Sequence, residues 1–164
     1  MLNFYFKRPI VNDYVISGII VFIARYLLCH NYLTIPKADR LFSTVSDMST
    51  LALTMAGFIL TLTTVLISFK STNKIDRNNI QESDKTFDLF FASKLYFDTI
   101  QILNNAIKSL SIIALLGYIL KLTLSESFLS TLYLYCVLGI IVIILTVMRC
   151  VLILTTILKM QKEK

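Results

Sequence analysis

Four long apolar segments restrict the folds that this chain can adopt. They cover about residues 10–29, 44–69, 103–122 and 130–158, and each reaches the length of about 20 residues that a helix needs to cross a bilayer. Only 16% of the residues are charged, whereas soluble domains have about 25%, so too few polar residues remain to cover these segments in water. The sequence predicts an all-α fold, in which residues 1–164 form one integral membrane domain with a bundle of four transmembrane helices.

The basic residues predict the orientation of this bundle. One side of the membrane would carry ten of them, namely Lys7, Arg8, Lys70, Lys74, Arg77, Lys85, Lys94, Lys159, Lys162 and Lys164. The opposite side would carry only Lys37, Arg40 and Lys121. Because cytoplasmic loops are enriched in Lys and Arg, we expect both the N and C termini and the loop 70–99 to be cytoplasmic. This bias also accounts for the net charge of +6 without direct binding of nucleic acid.

A stripe of small and polar residues follows the second span. Its members succeed one another at spacings of 4 and 3 residues: Ser43, Asp47, Thr50, Thr54, Gly57, Thr61, Thr64, Ser68 and Ser71. This spacing places all nine on one face of a helix whose other residues are mostly apolar. A soluble amphipathic helix has the inverse pattern. The Thr stripe, as we call it, therefore predicts a packed or hydrated face within a membrane bundle.

Two functions fit the Thr stripe. It can pack against other spans of the same subunit or of a neighbour, because each Thr hydroxyl can bond the carbonyl four residues earlier and a period of 3.5 residues suits left-handed packing. Alternatively, several copies can turn their stripes towards a central path for water or ions. The absence of an acidic residue from the middle of the spans favours packing over ion transport.

Five charged residues lie within the apolar segments, where an ionisable group is a functional candidate. Asp13, Lys108 and Arg149 should lie at similar depth near the cytoplasmic side, so Asp13 could neutralise either basic residue. Arg25 and Asp47 should lie at similar depth near the other side and could pair. Because long basic side chains near helix ends reach water and buried pairs often only fix packing, we favour a structural role for these charges.

The segment 70–99 is the only sizeable polar region between the spans. Its first part fits either a mobile loop or a continuation of the second helix, and its Phe-rich second part fits either an interfacial helix or an early start of the third span. Because the outer connections are short, we expect this segment and the tail 159–164 to bind a cytoplasmic partner. The candidate docking residues are Lys70, Lys74, Arg77 and Lys85.

No pattern in the sequence indicates catalysis. His30 is the only histidine, and beside it only Cys29 could act as a nucleophile or metal ligand, which does not make a catalytic or metal-binding set. The motifs of phosphate loops, zinc peptidases and serine hydrolases are absent. The three cysteines have no CxxC spacing, so they fit buried apolar positions better than disulfides. We therefore expect no enzyme activity, no cofactor and no metal site.

The run MAGFILTLTTVLISFK in the second span, within a small four-span chain, resembles small membrane proteins encoded in bacterial phage-defence operons, in particular the membrane subunit of the Kiwa system. The resemblance covers this run and the overall topology. It implies an oligomeric sensor in the inner membrane that acts with a cytoplasmic partner protein to suppress phage replication. It carries over no catalytic residues.

These features together predict an oligomeric sensor or anchor subunit of the bacterial inner membrane, with a tetramer as one arrangement. The subunit would pass a membrane signal to a cytoplasmic partner in antiviral defence. Its expected partners are further copies of the chain, that cytoplasmic protein and the lipid bilayer. Two alternatives stay open: a small ion channel or membrane-permeabilising effector lined by the second span, and an accessory membrane subunit that only anchors a larger complex.

Overall fold

The computed structural model of the chain describes residues 9–75, 94–124 and 128–162. Four long helices account for most of these residues: α1 (Pro9–Cys29), α2 (Ala38–Ile75), α3 (Lys94–Thr123) and α4 (Leu129–Lys162). No strand occurs within the three described ranges. The predicted all-α class and its four helices are confirmed.

Each helix contains an apolar stretch long enough to cross a membrane. These stretches are Ile10–Cys29, Ala38–Ser68, Tyr96–Thr123 and Leu129–Thr156. Large apolar side chains point outwards from all four helices, among them Phe22, which is 73% exposed, Phe58, Leu115 and Ile144. Soluble monomers rarely expose contiguous apolar patches of such extent. Length, composition and surface therefore indicate a multi-pass membrane protein.

Two helices extend well beyond the predicted apolar segments. α2 covers Ala38–Ile75 instead of about 44–69, and α3 begins at Lys94 instead of about residue 103. Both helices continue through polar residues. At the start of α2 the negative charge of Asp39 in the first turn stabilises the positive end of the helix dipole. The polar segment thus begins as a continuation of α2, and the third helix starts early. The Phe residues at 87, 90 and 91 lie outside the described residues.

The end of α1 is fixed by its backbone. Asn31 has a φ of 58°, a left-handed conformation that Asn adopts more readily than most residues. The amide of Tyr32 donates to the carbonyl of Leu27 at 3.0 Å, and the amide of Asn31 donates to that of Leu28 at 3.1 Å. This pair of bonds forms a Schellman motif, which ends a helix sharply and lets the short segment 30–37 lead into α2.

α2 and α3 form the most extensive contact of the bundle, and they run antiparallel. Near one end the hydroxyls of Thr50 and Tyr118 share a hydrogen bond of 3.1 Å. Near the other end the ammonium group of Lys70 lies 4.2 Å from the centre of the Tyr96 ring. We call the end at which α1 and α3 begin the base of the bundle, and the opposite end the top.

α4 packs against both α1 and α2, whereas α1 has only a small contact with α3 and no extensive contact with α2. α3 and α4 therefore lie between α1 and α2, which occupy opposite flanks of the bundle. Pairs of helices that are adjacent in sequence are thus not always adjacent in space. This arrangement decides which charged residues can meet.

The buried face of α2 is rich in small residues. Its members again follow at spacings of 4 and 3: Val45, Ser49, Ala52, Ala56, Ile59, Thr63 and Leu66. Ala52 and Ala56 allow α3 to approach closely, as small residues four apart do in membrane helices. They belong to one apolar cluster with Leu103, Ala106 and Leu110 of α3. The interior of the bundle is therefore filled by apolar side chains.

Ile113 and its neighbour Ile112 test this arrangement, because they have the same side chain and differ in burial. Ile113 is 2% exposed and Ile112 is 53% exposed. Ile113→Ala should lower the free energy of unfolding by about 2–5 kcal/mol through lost contacts and a cavity. Ile112→Ala should change it by about 0.5 kcal/mol or less. Thermal unfolding of the detergent-solubilised protein measures both, and equal losses would contradict the orientation of α3.

Candidate functional site

Four buried polar residues lie between α1 and α4 in the lower half of the bundle. Asp13 and Ser17 come from α1, Thr146 and Arg149 come from α4, and each is at most 1% exposed. Spacings of four and three residues put the members of each pair on one face of their helix. The two faces meet because α4 is the main contact of α1. We call these four residues the buried polar cluster.

An ion pair joins the two helices within this cluster. Nη1 of Arg149 donates to Oδ2 of Asp13 at 2.5 Å. Removing a carboxylate or a guanidinium from water costs several kcal/mol, so each charge is stable at this buried position only with a close partner. Two further bonds fix the same part of α1. Ser17 Oγ donates to the carbonyl of Asp13 at 2.6 Å, and the hydroxyls of Tyr14 and Ser109 share a bond of 3.0 Å.

Polar contacts hold α1 more than apolar ones do. Among the described side chains of α1 the one buried apolar residue is Ala24, while Asp13 and Ser17 are fully buried. Of the four apolar stretches, that of α1 has the smallest buried share, 17%. Between helices in lipid the hydrophobic effect contributes little, and packing and hydrogen bonds drive association. The ion pair is therefore the strongest described link between α1 and the rest of the bundle.

Three buried atoms of the cluster have no hydrogen-bond partner in the described part of the chain: Nε and Nη2 of Arg149, and Oγ1 of Thr146. A guanidinium carries five N–H donors, and an unpaired buried donor costs about 1–3 kcal/mol. Buried polar groups are nearly always paired, so such exceptions call for an explanation.

The sequence allowed Lys108 or Arg149 as the partner of Asp13, and the structure pairs Asp13 with Arg149. Lys108 is exposed on α3. The suggested pair of Arg25 and Asp47 does not form, and both residues are exposed. The reason is the order of the helices, because α1 and α2 lie on opposite flanks. Neither Arg25 nor Asp47 has an ion-pair partner among the residues that the structure describes.

The Thr stripe lies on the outside of the single chain. All its members from residue 43 to residue 68 are exposed, whereas the buried face of α2 is turned to α3 and α4. The side chain of Ser71 lies outside the described residues. Within the chain the stripe meets α3 only through the hydrogen bond between Thr50 and Tyr118 among the described residues, and the Ala-rich face of the same period makes the closer contact with α3. Contact with a neighbouring copy and a path between copies stay predictions.

Hydroxyls of the Thr stripe are satisfied by their own helix. Oγ1 of Thr54 donates to the carbonyl of Thr50 at 2.8 Å. Thr61 and Thr64 donate in the same way to the carbonyls of Gly57 and Leu60, each at 3.0 Å. These bonds to the carbonyl four residues earlier are a usual alternative to water for Thr in a helix. The stripe therefore needs no aqueous path in order to be stable.

Of the candidate docking residues, Lys70 contacts its own chain. Its ammonium group lies 4.0 Å from the centre of the Phe97 ring, close to the Tyr96 ring already described, a cation–π geometry. Lys70 thus links the end of α2 to the start of α3. Lys74 belongs to the last turns of α2, but its side chain, Arg77 and Lys85 lie outside the described residues.

The described residues contain no group of three or more His, Cys, Asp or Glu that could hold a metal ion. The thiol of Cys29 is exposed and free, and those of Cys136 and Cys150 are buried and free. The buried polar cluster offers one ion pair and two hydroxyls.

Ser17 and Thr146 were missed as members of the site. Both could have been found from helical spacing, because Ser17 lies four residues after Asp13 and Thr146 three residues before Arg149. The contact between Tyr14 and Ser109 could not have been found from helical spacing, because it depends on how α1 and α3 are placed relative to each other. Local pattern thus identifies the polar faces, and the helix arrangement identifies their partners.

Comparison with known proteins assigns no family. No protein-family model matches the chain, and neither a curated protein nor a solved structure matches it. Fold and site define the class of the protein: a multi-pass α-helical chain in which a buried ion pair joins the first helix to the last.

Replacing only one partner of the ion pair should destabilise the bundle more than replacing both partners with apolar residues. Asp13→Ala and Arg149→Ala each remove one side of the buried ion pair, and breaking such a pair costs about 3–5 kcal/mol, so both variants should unfold at a lower temperature in detergent. The double variant Asp13→Leu with Arg149→Met should recover most of the loss, because apolar replacement of a buried pair is often close to neutral.

Lys108→Met is the matched control for this experiment, because it removes an exposed charge on α3 and should leave the unfolding temperature almost unchanged. A double variant as unstable as either single variant would contradict the assignment of the loss to an unpaired charge.

Proposed function

We propose that the chain is a subunit of a homo-oligomer in the bacterial inner membrane, and that it passes a membrane signal to a cytoplasmic partner. The observation that carries this proposal is the ion pair between Asp13 and Arg149. It holds α1 in one position on α4, yet two donors of Arg149 stay unpaired among the described residues. Because this one buried pair links the two helices, a membrane signal that breaks or re-forms it would change the position of α1.

The charge pattern supports a cytoplasmic base. Basic residues at or beyond the base are Lys70, Lys74, Lys94, Lys159 and Lys162. The top carries Lys37, Arg40 and Lys121. With the positive side in the cytoplasm, Asp13 and Arg149 lie nearer to the cytoplasm than to the outside.

Two helices provide a route from the ion pair to a soluble partner. Beyond its apolar stretch α2 continues from Ser68 to Ile75, and α4 continues from Thr156 to Lys162. Each continuation is about 10 Å long at the rise of an α-helix. A movement of α1 would be passed through the ion pair to Arg149 of α4, and so to the continuation of that helix at the base. The two continuations and the segment 76–93 between α2 and α3 are the proposed docking surface.

The signal is proposed to be phage infection. Support for this part comes from the resemblance of the second-span run to membrane subunits of bacterial phage-defence systems. The partner would then be the cytoplasmic component of such a system. Asp13 and Arg149 would act by setting the position of α1, without binding the phage or the partner themselves.

A channel is the second candidate, because the Thr stripe is exposed and several copies could turn it towards a common axis. Two observations weigh against it. Thr54, Thr61 and Thr64 are bonded to their own helix, and the core of the single chain is filled with apolar side chains.

The variant Asp13→Leu with Arg149→Met separates signalling from stability. Cells that carry the gene with its native neighbours are challenged with a panel of phages, and the efficiency of plating is measured. The double variant should reach the membrane in normal amount, because no buried charge is left unpaired, but it should lose protection. Lys108→Met should keep protection. Full protection by the double variant would contradict a switching role and favour an anchor.

The same strains distinguish the channel from the sensor. Expressed without its neighbours, the wild-type chain should leave the membrane potential unchanged, as reported by a potential-sensitive dye. Depolarisation by the chain alone would overturn the sensor in favour of a channel. If every phage plates at full efficiency on cells that carry the wild-type gene with its native neighbours, the antiviral part of the proposal is overturned.

A further inference from the structure

α1 carries an exposed stripe with the same period as the Thr stripe. Its members follow at spacings of 4 and 3 residues and are all exposed: Val11, Val15, Gly18, Phe22, Arg25 and Cys29. We call this set the Arg25 stripe. Helices whose surface stripes share a period of 3.5 residues can pack along their whole length with a small left-handed crossing angle.

The two stripes do not meet within one chain. α1 packs mainly on α4, and α2 packs on α3 and α4, so the stripes lie on opposite flanks of the bundle. Both surfaces are therefore open to another copy. A contact between unlike surfaces is repeated from copy to copy, and it closes into a ring when the rotation between copies divides a full turn.

The unpaired charges of the two stripes lie at about the same level. Tyr14 of α1 bonds Ser109 of α3, so these two residues lie at one level. Because α1 and α3 both begin at the base, Arg25 and Leu120, each 11 residues further along its helix, also lie at one level. At that level Nζ of Lys121 donates to Oγ of Ser46 at 3.1 Å, next to Asp47 in the chain. Arg25 and Asp47 thus have matched height, opposite charge and no ion-pair partner among the described residues.

We propose that α1 of one copy packs antiparallel against α2 of the next copy, the Arg25 stripe against the Thr stripe, with an ion pair between Arg25 and Asp47 of the neighbouring copy. The contact is antiparallel because α1 begins and α2 ends at the base and all copies share one orientation in the membrane. The proposal rests on the homo-oligomer of the proposed function and identifies its interface.

Residue sizes along the two stripes are complementary in this register. When Arg25 faces Asp47, the large Phe22 faces Thr50 and the branched Val15 faces Gly57. Close packing of membrane helices relies on such small residues. Gly18 of the Arg25 stripe and Gly57 of the Thr stripe have no packing role within one chain, because a Cβ atom added to either would meet nothing within 4 Å. By contrast, a Cβ atom on Gly117 would collide with Oγ of Ser49.

The pairing also decides between the two roles of the Thr stripe. If α1 of the neighbouring copy covers it, the stripe is an assembly surface and does not line a central path. The charged carboxylate of Asp47, which is costly in contact with lipid, then has a partner. Lys121 does not fill this role within the chain, because it bonds Ser46 and forms no ion pair with Asp47.

Disulfide cross-linking in native membranes tests the interface. In a background with Cys29→Ser, Cys136→Ala and Cys150→Ala, a chain with both Val15→Cys and Gly57→Cys should give a ladder of dimers, trimers and larger species on a non-reducing gel. The matched control carries Ile16→Cys in place of Val15→Cys. Ile16 is at the same level and also exposed, but it lies on another side of α1, so no ladder should form.

Charge reversal tests the ion pair. Arg25→Glu alone and Asp47→Arg alone should each convert the oligomer to smaller species, as measured by native mass spectrometry from mild detergent. The oligomer should return when both changes are in one chain. It should also return when the two single variants are co-expressed, because alternating copies then restore every pair. Lys108→Glu, an exposed charge reversal outside both stripes, should leave the assembly intact.

The outcomes separate this interface from the proposed function. A dimer cross-linked by Gly57→Cys alone would show two Thr stripes in contact and would overturn the pairing, while leaving the oligomer standing. An oligomer that withstands all charge reversals and forms no ladder would also overturn the pairing alone. A monomeric mass together with no cross-links in native membranes would overturn both the pairing and the homo-oligomer.

Discussion

The ion pair between Asp13 and Arg149 is the interaction on which the rest of this structure depends. Among its described side chains α1 buries only one apolar residue, Ala24, so its position on α4 depends strongly on polar contacts. In a medium of low dielectric constant those contacts are strong when complete and costly when broken. α1 is therefore the helix whose position in this bundle depends most on a single ion pair.

The two sides of α1 have different functions in this account. One side carries the ion pair to α4, which continues beyond its apolar stretch at the base. The other side carries the Arg25 stripe, which is proposed to bind the next copy. A change in the contact between copies would then bias the position of α1 within each copy, and the reverse would hold with equal free energy. The coupling needs no conduit and no catalytic group.

Much of the fold could be predicted from the sequence, because span length and apolar composition determine the number of helices. Helix ends were less predictable: hydropathy marks what a bilayer can hold, while α2 continues to Ile75 through polar residues. The packed face of α2 was missed because the Thr stripe and the Ala52–Ala56 face have the same period. Depth along the chain suggested Asp13 and Arg149 as a pair, but it suggested Arg25 and Asp47 equally, and only the helix arrangement distinguishes them.

A density map of the protein in lipid nanodiscs that resolves side chains would test the ion pair directly. If the pair positions α1, the map shows continuous density between the carboxylate of Asp13 and the guanidinium of Arg149 in every copy, with α1 docked on α4. That role of the pair would be contradicted by a map in which Arg149 turns to the lipid headgroups, Asp13 faces another partner and α1 lies apart from α4.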